Sequence, residues 1–216
     1  MLLAAMAITD AGESRAWERL AASDPVTVSG QAAVGFDPAT GCYLLASFGR
    51  HFTVHPGDRR ILNLEPEGEA FLKRDEYFFR LTVLWYLVKA CPASPSGTLV
   101  NPAALPGGEI FLRGTHVLPL DALAANYATR PEAFLAAAAA LGDKPAPYGD
   151  AAVALFPLPK VPVTVILWTE DDEFPARADL LFDATCTSHL PLDVLWSIAM
   201  LTVRSMLESG TTLRGA

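Results

Sequence analysis

Val161-Pro162-Val163-Thr164-Val165-Ile166-Leu167-Trp168 is apolar at nearly every position, and its β-branched content suits a strand rather than a helix. A strand without a polar face is covered on both sides, so this stretch predicts an interior strand lying deep in a sheet. Residues 151–156 and 178–182 read as two further strands on either side of it in the chain. Residues 191–208 then predict a long helix, apolar almost all round and closed by Gly210.

Working towards the N-terminus, residues 72–90 carry the strongest helix of the first half. Phe78, Phe79, Leu81, Thr82, Leu84, Trp85, Leu87 and Val88 leave it few faces for solvent, which makes it central. Cys91-Pro92-Ala93-Ser94-Pro95-Ser96-Gly97 stops it in a sharp loop. Before it, Ala16, Trp17, Leu20 and Ala21 set a helix over 10–23 that ends at Asp24-Pro25. Strands at 32–36, 42–48 and 51–55, joined by Asp37-Pro38-Ala39-Thr40-Gly41 and Gly49-Arg50, predict a three-stranded meander. After it come short extended pieces over 98–116, then helices at 120–127 and 131–141, the latter opened by Pro131 and closed by Gly142.

Helices and strands follow one another without a strict βαβ alternation and without an internal repeat. The expectation is a single α+β domain over 1–216, with a mixed or antiparallel sheet packed by the two long buried helices. A chain of 216 residues supports one such domain without staples.

Composition excludes several classes. With 51% hydrophobic and 19% charged residues the chain is not disordered. No apolar run approaches the roughly 18 residues of a membrane span, and a net charge of -8 argues against nucleic acid or an anionic lipid surface. The apolar start, Met1-Leu2-Leu3-Ala4-Ala5-Met6-Ala7, lacks the positive region of a secretory leader. Residues 1–9 therefore read as a frayed or misannotated start, and the expected location is the cytoplasm. Cys42, Cys91 and Cys186 are an odd, widely spaced set, which reads as three independent, mostly buried thiols rather than a disulfide framework or a metal site.

Several segments of the second half are similar to one known family: Leu105-Pro106-Gly107-Gly108, Phe111-Leu112-Arg113-Gly114-Thr115-His116, Tyr148-Gly149-Asp150-Ala151-Ala152, residues 162–168, Asp172-Glu173-Phe174-Pro175, Leu181-Phe182-Asp183-Ala184 and His189-Leu190-Pro191. In order and spacing they resemble a prokaryotic domain of unknown function, DUF3786, and the first half matches more loosely. The resemblance implies no activity. Relatives occur largely in anaerobic bacteria and archaea, some with an added cysteine-rich iron–sulfur domain of the kind used in corrinoid one-carbon metabolism. Three scattered cysteines cannot hold a four-cysteine cluster here, so a corrinoid or one-carbon link is an implication of the resemblance alone.

Two segments carry candidate chemistry. Arg113 offers a planar fork for carboxylate or phosphate, His116 donates or titrates near neutrality, and Gly114 between them permits close approach of a ligand. Asp183-Ala184-Thr185-Cys186-Thr187-Ser188-His189 joins a buried strand to the long helix, a position that favours anions. Asp183 and His189 suit an acid–base pair there, while for Thr187 and Ser188 the favoured reading is capping of the helix that follows. Arg113, His116, Asp183 and His189 are thus the candidate ligand-binding residues, with Asp183 and His189 as the catalytic candidates. Cys186 and His189 give two metal ligands, to which Asp183 adds a third and His116 a fourth only if the fold brings them together, so no metal site is assigned. Glu170-Asp171-Asp172-Glu173 reads as a solvated loop, and His51 and His55 as surface residues roughly 13 Å apart along a strand.

No glycine-rich phosphate loop, GxSxG or HExxH motif is present, and no cofactor is assigned. The leading expectation is a small-ligand-binding or accessory protein that takes an anionic small molecule. The alternatives are an acid–base enzyme acting on such a molecule and a structural subunit that meets a protein partner.

Overall fold

Val161–Trp168, strand β8, is the central strand of a five-stranded antiparallel sheet in the computed structural model, which describes residues 2–112 and 117–212. Its neighbours are β7 (Ala151–Leu158) and β9 (Arg177–Asp183), and the short strands β6 (Lys144–Pro145) and β5 (Leu99–Val100) form the edges. Pro145 sits where a residue without an N–H is tolerated, on an edge. Val161, Val163, Val165 and Leu167 of β8 are fully buried, as a strand without a polar face requires.

The meander forms a second sheet, and it has four strands rather than three: β1 (Gly35–Asp37), β2 (Cys42–Ser47), β3 (Arg50–His55) and β4 (Arg60–Asn63). The fourth follows the Pro56-Gly57-Asp58 turn, with Arg59 in the left-handed region at φ 51° and Ile61 paired to Val54. The two sheets meet where β7 is irregular. Its register with β8 shifts between Leu155 and Leu158, at Pro157, which has no N–H for the ladder. The Phe156 carbonyl accepts the Phe48 amide at 2.9 Å and the Pro157 carbonyl accepts the Ser47 hydroxyl at 2.8 Å. Two sheets thus replace the one expected, with an α+β fold and purely antiparallel pairing.

Helix α1 (Leu2–Ala22) begins well before Asp10. Asp24-Pro25 ends it and also starts α2 (Pro25–Ala32), which sequence reading missed. Asp24 accepts the Thr27 amide at 2.9 Å and Pro25 takes the first helical position, both strong start signals. Helix α3 (Pro66–Lys89) is longer than the pattern from residue 72 suggested and is kinked at Asp75. Of the extended pieces expected over 98–116, the described residues 98–112 form β5 and two 3₁₀ turns, Pro102–Ala104 and Gly108–Leu112. There Asn101 accepts the Ala103 amide at 2.9 Å. Helices α4 (Leu120–Tyr127) and α5 (Pro131–Ala139) lie where the sequence put them, followed by α6 (Cys186–His189) and α7 (Leu192–Thr212).

α3 and α7 pack together at the centre, burying Phe79, Val83, Leu84 and Leu87 from one and Leu195, Ile198, Leu201 and Met206 from the other. Each such side chain stabilises the fold by about 1.5–3 kcal/mol. Arg204 of α7 holds the buried Asp75 carboxylate at 2.8 Å, so the kink in α3 faces a cation. Among the described residues no helix is long and apolar enough to cross a membrane.

Candidate functional site

α3 ends at Lys89, and Ala90 leaves the helix with an extended ψ two residues ahead of Pro92. Cys91 therefore leaves the helix end half-buried, and the residues after it run over the surface. That loop is anchored from the far end of the fold. Asp183, the last residue of β9 and 2% exposed, accepts the Ser96 amide at 3.0 Å and the Gly97 amide at 2.7 Å. It also accepts the Thr185 amide at 2.9 Å, the Thr185 hydroxyl at 2.7 Å and the Ser96 hydroxyl at 3.2 Å. Burial raises the carboxyl's proton affinity, but these donors together outweigh it and hold Asp183 below the usual aspartate value, and so ionised.

His189 closes α6 and is fully buried. Its Nδ1 accepts the Cys91 amide at 3.3 Å and lies 3.6 Å from the Cys91 thiol. An amide only donates, so Nδ1 carries the lone pair and the proton of the neutral ring is on Nε2. Nε2 is buried without a hydrogen-bond partner among the described residues. Burial first, and the nearby Lys160 ammonium second, lower the His189 pKa against a smaller opposite pull from Asp183; the ring is neutral at pH 7.

Lys160 is placed by the fold rather than by its own neighbours. Tyr86 of α3 is buried, donates its hydroxyl to the Ala32 carbonyl at 2.7 Å and receives the Lys160 amide at 3.2 Å. Burial pushes that phenol well above its ordinary value, so it stays protonated. From the β7–β8 turn Lys160 then reaches the Cys91 carbonyl with Nζ at 3.0 Å. Cys91, Lys160 and His189 come from three separated parts of the chain.

A groove runs past this cluster. One section, about 480 Å³, is lined by Arg15, Arg19, Leu81, Trp85, Lys89, Asp193 and neighbouring residues. The next, about 270 Å³, is lined by Lys89, Thr187, Ser188, His189, Leu190 and Pro191. Lys89 and Pro191 border both, so the two sections adjoin. Arg19 lies over the half-buried Trp85 ring at 5.8 Å. Among the described residues no carboxylate lies within ion-pairing reach of Arg15, Arg19 or Lys89.

Of the residues singled out from sequence, Asp183 and His189 fall at this junction. No hydrogen bond joins them: the carboxylate is taken up by the loop and the ring by Cys91. Arg113 and His116 lie outside the described residues. Thr187 and Ser188 are not caps; their hydroxyls make no hydrogen bond among the described residues and stand exposed on the groove. The Pro191 carbonyl accepts the Val194 amide at 3.1 Å and the Leu195 amide at 3.0 Å, opening the α7 ladder without either hydroxyl. Cys186 is buried, and burial pushes its thiol up to about 11, so it is inert at neutral pH. His51 pairs with Glu65 at 2.8 Å and His55 with Thr53 at 2.9 Å. Glu170 to Glu173 form an exposed loop folded on the Asp171 carboxylate. Among the described residues no three His, Cys, Asp or Glu side chains gather to hold a metal.

Sequence reasoning missed Cys91, Lys160 and the groove cations. Cys91 and His189 are 98 residues apart, and nothing in either local sequence links them. Trp85 was expected in the core, yet one side of it forms the groove wall.

With this geometry in hand, the chain belongs to the family described as Domain of unknown function (DUF3786), whose model matches residues 24–205. The match takes in β1 to β9, Cys91, Lys160, Asp183 and His189, and leaves α1, with Arg15 and Arg19, outside. No curated protein and no solved structure is similar to the chain.

Proposed function

We propose that this chain is a cytoplasmic protein that binds a small anionic molecule in the groove between α1, α3 and the start of α7. The observation that carries the reading is the set of cations Arg15, Arg19 and Lys89, which have no carboxylate partner among the described residues of a chain of net charge -8. In an acidic protein, cations left unpaired around an aromatic wall favour a ligand that brings its own negative charge. Trp85 supplies a face for a flat or aliphatic body, and Lys89, Thr187 and Ser188 supply donors next to it.

Arg113 and His116 are proposed as further anion contacts on their chemistry alone. An accessory role in anaerobic one-carbon or corrinoid chemistry is the extension that the family resemblance adds to this reading.

The test has two parts. Native mass spectrometry of protein purified without oxygen, compared with its denatured mass, should show a small-molecule excess that denaturation removes. Thermal-shift titration with phosphomonoesters and aromatic carboxylates should raise the melting temperature of the wild type. Arg19→Gln and Lys89→Gln should abolish both effects while leaving the ligand-free melting temperature unchanged. A wild type without mass excess and without response to any anion would refute the reading.

A further inference from the structure

We infer that Cys91 is a nucleophilic thiol and His189 its base, a pair arranged to attack an electrophilic carbon that carries a leaving group. The inference rests on the thiol–imidazole geometry and not on the groove cations, so the two readings fail separately.

Nδ1 of His189 holds a lone pair, because the Cys91 amide donates to it, and the Cys91 Sγ lies 3.6 Å from that same nitrogen. A thiol with its proton-accepting partner in reach is the arrangement that nucleophilic catalysis requires. The histidine has no packing explanation. It is fully buried, and its Nε2 has no partner among the described residues, which costs free energy that an apolar residue of similar size avoids. The large majority of buried side-chain polar atoms in folded proteins have a partner, so a ring held for structure ordinarily has both nitrogens satisfied.

Exposure selects the same cysteine. Cys42 and Cys186 are buried, whereas Cys91 is half-exposed at the start of a surface loop. The loop is nonetheless fixed, since Asp183 holds Ser96 and Gly97 and the Lys160 ammonium holds the Cys91 carbonyl. Burial and Lys160 keep the imidazole neutral, the form able to take a proton.

The step balances without an oxidant or reductant. The thiol proton passes to Nδ1, displacing the long Cys91 amide bond from the single lone pair there, as a sulfur lone pair forms the S–C bond. The bond from that carbon to its leaving group breaks, the leaving group departs with the electron pair, and the proton on Nδ1 goes to it. The substrate class is therefore an activated acyl or alkyl group, and the product is a thioester or thioether on Cys91.

Iodoacetamide is the probe, with the modified cysteine identified by peptide mass. In the folded full-length chain Cys91 should react faster than in the urea-unfolded chain at the same pH, by about tenfold or more. His189→Gln should lower the folded rate to the unfolded one or below, with Cys42 and Cys186 still unmodified as evidence that the variant is folded. Cys91 reacting no faster folded than unfolded would overturn the inference. So would a folded His189→Gln variant that reacts as fast as the wild type. Should His189→Gln unfold, exposing Cys42 and Cys186 to the reagent, the folded-to-unfolded comparison of the wild type decides by itself.

Discussion

The Gly97 amide lies 2.7 Å from Asp183 Oδ2, and this bond ties the surface loop after α3 to the end of a buried strand. Through it the carboxylate fixes the path of the chain from Cys91 to β5, whose Leu99 pairs with Asp183 itself. The same carboxylate holds Thr185 and so sets the start of α6, which ends in His189. One ionised side chain thus orients both segments that bring the thiol and the imidazole together.

Asp183→Asn keeps the shape but turns an amide NH₂ towards N–H donors. We expect a loss of about 3 kcal/mol in urea denaturation, since bonds to a buried charged acceptor are lost and a donor is left unpaired. Hydrogen exchange should rise over residues 92–98. A loss below about 0.5 kcal/mol would show that the β5–β9 ladder holds the loop unaided.

Acid should weaken the fold in two stages. His189 titrates below its ordinary value of 6.5 when folded, so as pH falls the unfolded chain takes up this proton first. By linkage its contribution is complete above about 6.5 and is lost as pH drops through the lower folded value. Asp183 has the same sign further down: its folded value is below 3.8, so its contribution is present above that pH and disappears as pH falls through the folded value. The urea midpoint should therefore begin to fall between about pH 7 and pH 5, and His189→Gln should remove that first decline while leaving the later one. An unchanged first decline in the variant would assign the proton to another group.

Gly142 follows α5 at φ 67°, and a Cβ there would come within 2.9 Å of the Gly49 Cα in the β2–β3 turn. Gly142→Ala combines left-handed strain with backbone overpacking and should cost about 2–3 kcal/mol. Gly41 has φ 68° with nothing near its would-be Cβ, so Gly41→Ala should cost only about 1 kcal/mol. Equal losses in thermal unfolding would mean that the close approach of the two glycines carries no energetic weight.

Much of the architecture was legible because local physics dictated it. The unbroken apolar run at 161–168 required an interior strand, and the apolar faces of 72–90 and 191–208 required covered helices, which is where β8, α3 and α7 lie. Pro131 and Gly142 bracketed α5 for the same local reason. Even the missed α2 carried its signals, Asp24 as cap and Pro25 as first residue, but they coincided with the end of α1 and were read as a stop alone.

The site depended on distance along the chain. The sequence marked Asp183 and His189 as polar groups at a strand-to-helix junction, and both are there. Their partners were decided by tertiary structure. Asp183 binds a loop more than eighty residues earlier and His189 binds Cys91 at a separation of 98. Lys160 arrives through a hairpin seated on Tyr86. A residue's charge, polarity and periodicity are local properties, so sequence by itself determined what each segment must bury and which groups carry chemistry. Which of those groups meet depends on how the α3–α7 pair packs against the sheet, and only the assembled core settles that, because its packing places the end of α3, the β7–β8 turn and α6 at one point.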